Sequence, residues 1–121
     1  MVESLSPDGR TRITWAISEG RMSHEIRCPR ITDAQSGEIL FDLWMDTSWD
    51  ASVQWLENGL LRLSIRHYAE GGVTMLDVLV DRGAGVFRME NGPWRPLNWM
   101  QGEVPEAYWR KAGSGGGLQS G

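Results

Sequence analysis

The 121-residue sequence contains one cysteine, Cys28, and only two histidines. One cysteine excludes an internal disulfide and a multi-cysteine metal cluster. No apolar run approaches the roughly 18 residues that cross a bilayer, and residues 1–11 lack the apolar stretch of a signal peptide. We therefore expect no metal site, no cofactor, no membrane association and a cytoplasmic location.

Positive charge is also scarce, because the sequence has 12 Lys and Arg residues but 16 Asp and Glu residues, which gives a formal net charge of −4. Such a chain has no general attraction for the phosphates of nucleic acids or for anionic lipids. Its basic residues do not interleave with aromatic residues in any recognisable nucleic-acid-binding motif. Nucleic acid is therefore not an expected partner.

Phenylalanine and tyrosine occur only twice each, whereas tryptophan occurs seven times. Burying one tryptophan removes about 150–250 Å² from water, which is worth roughly 4–6 kcal/mol at about 25 cal/mol per Å². Four or five buried tryptophans are enough to anchor a small core. The alternative is that some of them line a ligand cavity or an interface.

Apolar and polar residues alternate most regularly between Glu38 and His67. A period of two is typical of a β-strand with one buried and one solvated face. Similar runs on both sides of this stretch predict an all-β fold, a seven-stranded antiparallel up-and-down meander. The odd positions supply its apolar face: Ile39, Phe41, Leu43, Met45, Trp49, Ala51, Val53, Trp55, Leu61, Leu63 and Ile65.

Turn chemistry predicts how these strands pair. A two-residue Asn58-Gly59 turn would set Trp55 opposite Arg62 and mix the two faces, whereas a three-residue turn beginning at Glu57 keeps them separate. The same procedure at each turn gives these expected pairs in chain order: Trp15 with His24, Leu43 with Ala51, Trp55 with Leu61, Ile65 with Leu76, and Val78 with Phe87.

The apolar face of a single sheet has to be covered. A strongly curled sheet or a small barrel would achieve this, with the C-terminal segment plugging or flanking it. Pro105 suits the first turn of a short C-terminal helix that continues through Lys111. Residues 1–111 thus form a single β-meander domain, and the Gly/Ser-rich residues 112–121 form a flexible tail.

Several apolar side chains fall on the even, mostly polar face, where core packing does not explain them. Either residues 91–111 pack over them, or they form an interaction patch. The second explanation predicts a non-enzymatic interaction module that binds a protein partner, or itself, through this aromatic face and the C-terminal segment. The predicted partner-binding residues are Leu40, Trp44, Tyr68, Met75 and Leu79.

The alternative is a carrier whose barrel cavity holds a small apolar ligand. Both histidines fall on the apolar face, where they either bind such a ligand or are ordinary core and rim residues. The predicted ligand-binding residues are Trp15, His24, Trp49, Trp55 and His67. No set of nucleophile, base and orienting residue is recognisable, so no catalytic residues are predicted and we expect no enzyme.

Overall fold

Two antiparallel sheets, rather than one, contain the strands of this protein. The computed structural model describes residues 2–19, 25–44, 49–67 and 74–115. The strands are β1 (Val2–Leu5), β2 (Thr11–Glu19), β3 (Glu25–Asp33), β4 (Ile39–Asp42), β5 (Trp49–Trp55), β6 (Leu60–His67), β7 (Met75–Asp81), β8 (Val86–Met89) and β9 (Arg95–Pro96). A 3₁₀ turn, Leu97–Trp99, leads into the helix α1 (Met100–Gly115).

The first sheet has the order β1-β2-β3-β4 and the second the order β5-β6-β7-β8-β9. The all-β prediction is confirmed, but the single seven-stranded meander is wrong. The described residues form nine strands, and the two sheets do not close into a barrel. The short strands β1 and β9 were missed because four and two residues are too few to establish a period.

The sheets separate after β4. The backbone N–H of Leu43 donates to the carbonyl of Pro29 on β3 (3.0 Å), so this part of the chain stays with the first sheet. Ala51 pairs with Ile65 on β6, as the three-residue turn at Glu57 predicts, but β4 and β5 belong to different sheets and Ala51 does not pair with Leu43. The predicted hairpin between β4 and β5 is therefore wrong, although both residues do face the core.

The first hairpin also has a different register from the prediction. Trp15 pairs with Pro29 rather than with His24, a shift of five residues, and Ile13 pairs with Ile31. Because Ile13 and Ile31 are at most 1% exposed, this register joins two core residues that the shorter turn would have kept apart. His24 lies outside the described residues.

The second sheet follows the predicted registers more closely. Trp55 is opposite Leu61, and Ile65 is opposite Leu76. The three-residue turn Glu57–Gly59 is also present, and Gly59 adopts the positive φ of 74° that this bulged turn requires.

The turn between β7 and β8 has the predicted four residues but lies one position later, at residues 82–85 instead of 81–84. Val78 pairs with Met89 rather than with Phe87, a shift of two residues that preserves the facing. The turn includes Gly85, which has a φ of 71° and donates its N–H to the carbonyl of Asp81 (2.9 Å). A glycine at this position accepts the left-handed conformation that other residues rarely adopt.

Helix α1 covers the apolar interior between β4 and β7. Its inner residues Met100, Val104 and Tyr108 are each at most 2% exposed and recur every four residues. The helix begins five residues before Pro105, so the prediction that Pro105 lies in its first turn is wrong. Proline has no backbone N–H, so Pro105 cannot donate a hydrogen bond within the helix. Burial of Met100 and Val104 nevertheless stabilises the additional helical turn before Pro105. No helix in the described residues is long and apolar enough to span a membrane.

Candidate functional site

Strand β5 carries a tryptophan at each end, Trp49 at its start and Trp55 at its finish. Both side chains point to the inner face, because the two residues are an even number of positions apart, six, and successive side chains alternate. At about 3.3 Å per residue, the two positions are roughly 20 Å apart. Each end of β5 forms a distinct local environment, and together these are the candidate sites.

The aromatic cluster at the start of β5 consists of Trp49, His67, Tyr108 and Trp109. The Trp49 ring lies 4.6 Å from His67, 5.0 Å from Tyr108 and 5.5 Å from Trp109, all in edge-to-face contact. Edge-to-face aromatic pairs are each worth about 0.5–1.5 kcal/mol beyond burial. Trp49 is only 5% exposed, whereas Trp109 is 47% exposed. The aromatic cluster therefore holds Trp109 in place while about half of its side chain remains exposed to solvent.

A hydrogen bond reinforces the contact between the helix and the second sheet. The backbone N–H of His67 donates to the Tyr108 hydroxyl at 3.0 Å. The His67 and Trp109 rings are 4.8 Å apart, and those of Tyr108 and Trp109 are 5.3 Å apart. The end of β6 and the middle of α1 are thereby held together by both polar and aromatic contacts.

Met75 lies at the same end of the second sheet. It begins β7 opposite Arg66, the residue before His67, and is 43% exposed. Lys111 on α1 donates to the Met75 carbonyl at 2.7 Å and to the Glu90 carboxylate at 2.8 Å. This hydrogen bond from Lys111 lowers the pKa of Glu90. We call the end of the second sheet that carries Met75, His67, Trp109 and Lys111 the interaction rim. Within it, Met75 precedes the buried Leu76, so its side chain faces away from the side of the sheet on which Trp109 packs against His67.

Trp44, in contrast, lies against the first sheet. The Arg30 guanidinium sits 3.9 Å from the centre of its ring, and its indole N–H donates to the Thr14 carbonyl at 3.2 Å. Arg30 is in turn held by Asp42, with a distance of 3.0 Å between Nε and Oδ2. Trp44 is half-buried, and its polar atom is satisfied within the chain.

The predicted partner-binding residues are thus divided between the two sheets. Leu40 is half-buried against the core next to β3, whereas Met75 and Leu79 lie on β7. Leu79 is half-buried between Arg62 and Arg88 of the neighbouring strands. Tyr68 lies outside the described residues. The sequence pattern indicated the facing of Met75 and Leu79 correctly, but it was wrong at the start of β4, where Leu40 packs against the core and Ile39 is 54% exposed. A register shift between Ile31 and Thr32 accompanies this change. The pattern also could not show that the sheet divides after β4.

A pocket of about 370 Å³ opens at the far end of β5, and we call it the Trp55 pocket. The Trp55 indole N–H donates to the Ser4 hydroxyl at 3.1 Å, which fixes the ring beside β1. The pocket lies between the turns that follow β1, β5 and β7. Its lining residues are Ser6, Pro7, Asp8, Thr11, Trp55, Leu56, Glu57, Gly59, Leu60, Leu61 and Arg82.

The predicted ligand-binding residues do not share this pocket. Trp15 is 7% exposed and belongs to the core, while Trp49 and His67 belong to the aromatic cluster. Of the described members of the predicted set, only Trp55 lines the pocket. The other wall residues come from turns, which the strand pattern did not mark as functional.

Arg82 closes one side of the pocket by joining the two sheets. Its Nε donates to the Thr11 hydroxyl at 3.0 Å, and its Nη2 donates to the Arg10 carbonyl and pairs with Asp33. Hydrogen bonds from Ser36, followed by the contact with Arg82, lower the pKa of Asp33 to about 2. We call this set of contacts the Arg82 clasp.

Three exposed tryptophans near the C-terminus were not among the predicted site residues. Trp94 lies 5.3 Å from the Arg88 guanidinium, and Trp99 lies 4.9 Å from that of Arg95. The sequence does contain a signal for Trp109. Val104 and Tyr108 are four residues apart and lie on the buried face of the helix, so the next residue, Trp109, is expected at the edge of that face. Within the described ranges, no three metal-ligating side chains lie together.

No protein-family model matches this sequence, and no curated protein or solved structure is significantly similar to it.

Proposed function

We propose that this protein is a non-enzymatic interaction module that binds a protein partner through the interaction rim. The observation that supports it best is Trp109, which contacts three other rings and remains 47% exposed. Tryptophan is among the residues that contribute most to binding energy in protein interfaces. A cytoplasmic location remains a prediction from the sequence.

Rigidity is what makes Trp109 suitable as an anchor. Immobilising a free side chain on binding costs about 0.5–1.5 kcal/mol. The ring contacts to Trp49 and His67 have already restricted the Trp109 side chain before a partner arrives. A partner that buries the exposed half would therefore lose little side-chain entropy at this position.

The surroundings of Trp109 also resemble an interface in composition. Met75, at the same end of the sheet but on its other face, offers a second, adaptable apolar surface, and Met and Trp are enriched at interfaces. Lys111 and Glu90 pair beside it, with side chains that are each 41% exposed, and supply a polar border. An apolar centre with a polar border is the usual anatomy of a protein–protein contact.

The test compares Trp109→Ala with Trp99→Ala. Both tryptophans are 47% exposed, but Trp99 lies outside the rim, beside Arg95. We expect affinity-captured partners, or self-association measured by sedimentation, to weaken more than tenfold in Trp109→Ala, because anchor residues contribute 2 kcal/mol or more. Trp99→Ala should behave like the wild type. Equal binding by the wild type and Trp109→Ala would contradict the proposal.

A second candidate function is that of a small-ligand carrier, which the Trp55 pocket supports. Its volume of about 370 Å³ lies within the range of roughly 300–1,000 Å³ that is common for ligand sites. Trp55, Leu56 and Leu60 provide apolar walls. Ligand-dependent shifts of the Trp55 indole N–H signal in NMR spectra would support this function, and a signal that no small apolar compound shifts would contradict it.

A further inference from the structure

The Trp55 pocket combines an apolar wall with two carboxylates at its mouth. Trp55, Leu60 and Leu61 line the wall, while the exposed residues Asp8 and Glu57 stand on the turns above it. The Ser6 hydroxyl donates to Asp8 at 2.5 Å and the Arg10 N–H donates at 3.0 Å. These hydrogen bonds lower the pKa of Asp8, with a smaller contribution from the Arg10 charge, so Asp8 is ionised at neutral pH.

The one cation in the lining does not balance these carboxylates. Arg82 pairs with Asp33, and its Nε and Nη2 donate to Thr11, Asp33 and the Arg10 carbonyl. Glu57 forms no ion pair with the residues that the structure describes. The mouth of the pocket is therefore negative, and Glu57 is its least compensated charge.

We propose that the Trp55 pocket binds a small organic ammonium ion, with the apolar group against Trp55 and Leu60 and the ammonium at the mouth facing Glu57 and Asp8. This inference rests on the carrier function proposed above and names the chemical class of its ligand.

Two physical arguments favour this class. The apolar group gains from leaving water, and a volume of about 370 Å³ suits a single ring or a short chain. The ammonium stays at the mouth, where it keeps part of its hydration and faces carboxylates. A carboxylate ligand would instead face Glu57 and would compete with Asp33 for Arg82.

Three probes of similar shape separate the effect of ligand charge on affinity from that of ligand shape. They are phenethylammonium, which is positive, phenethyl alcohol, which is neutral, and hydrocinnamate, which is negative. Each is titrated into the ¹⁵N-labelled full-length protein while the Trp55 indole N–H signal is followed, assigned by its disappearance in Trp55→Phe. We expect the ammonium to bind most tightly and the carboxylate most weakly. Raised ionic strength should bring the affinity of the ammonium towards that of the alcohol, because salt screens exposed charges.

The variant Glu57→Gln tests which charge is responsible. It should weaken ammonium binding about two- to fivefold, the range expected for one exposed ion pair, and leave alcohol binding unchanged. Glu106→Gln removes the same charge from the exposed side of α1 and should change neither affinity.

Two outcomes would overturn the inference in different ways. If the alcohol or the carboxylate binds as tightly as the ammonium at low ionic strength, the assigned ligand class is wrong but the carrier function stands. If none of the three probes shifts the Trp55 signal, both the ligand class and the carrier function are wrong.

Discussion

The two ends of β5 use the same residue type on the same face of one strand, yet they are closed by different means. At the first end, helix α1 covers Trp49 with Tyr108 and Trp109. At the other end no helix among the described residues covers Trp55, and the Arg82 clasp joins the neighbouring turns beside an open pocket. Aromatic packing, reinforced by the hydrogen bond between His67 and Tyr108, holds the first end, whereas polar contacts of Arg82 hold the other.

This difference shows that the surroundings, more than the residue itself, decide what a tryptophan does. Packing around Trp49 leaves it 5% exposed and makes it part of the core. Trp55 has one satisfied polar atom and an accessible ring, which leaves space for a ligand. Substitutions at the two ends should accordingly differ in how much they destabilise the fold and in how this loss of stability depends on pH.

The largest expected difference is between Trp49→Ala and Trp55→Ala. Replacing a buried tryptophan by alanine costs about 3–5 kcal/mol, and Trp49 also loses its edge-to-face contacts. Trp55 is half-buried, so losing about half of the 150–250 Å² that a tryptophan buries should cost about 2–3 kcal/mol. Urea denaturation of both variants measures the two losses. If Trp55→Ala were as destabilising as Trp49→Ala, the two ends would not differ as described.

A smaller effect is expected for Tyr108→Phe, which keeps the ring and removes only the hydroxyl. The His67 N–H then loses its acceptor in a partly buried position, at a cost of about 1–2 kcal/mol. Hydrogen exchange should show faster exchange of the His67 amide, with little change in the amides that line the Trp55 pocket. Unchanged protection at His67 would show that aromatic packing alone holds this end.

The second sheet was more predictable because its β5–β6 hairpin combines a period-two pattern with a recognisable turn. Trp55 opposite Leu61 follows from a single bulged turn with glycine at the position of positive φ. The predicted register of Val78 was wrong by two residues, but its side chain faces the core as predicted. Side chains alternate between the two faces of a strand, so a shift by an even number of residues leaves each side chain on the same face.

The first sheet was less predictable because long-range packing overrides its local turn signals. The N–H of Leu43 bonds to Pro29, far away in sequence, and no turn residue near Leu43 indicates that. The even-face patch failed to assemble for the same reason, since Trp44 and Met75 belong to different sheets. The exposure of Trp109 depends on where α1 docks, and a helix start at Met100 was not visible from the sequence.

The smallest expected effect is a pH-dependent change in stability that comes from Asp33 in the Arg82 clasp. It is also the effect that best distinguishes the two ends of β5. The pKa of Asp33 is lowered from 3.8 to about 2, first by hydrogen bonds from Ser36 and then by Arg82. Because the folded pKa lies below the unfolded one, this carboxylate stabilises the fold above about pH 4, and the contribution is lost as pH falls through about 2.

The difference in melting temperature between the wild type and Asp33→Asn should accordingly be constant near neutral pH and shrink between about pH 4 and 2. Arg82→Gln should remove only part of this pH dependence, because the Ser36 hydrogen bonds remain. Glu106→Gln on α1 is the charge-matched control. Tyr108→Phe should lower the melting temperature by the same amount across this range, since the hydroxyl it removes accepts from an uncharged backbone amide. If Asp33→Asn showed that same pH-independent loss, the Arg82 clasp would contribute no ionic stabilisation, and the Trp55 end would be held by packing like the Trp49 end.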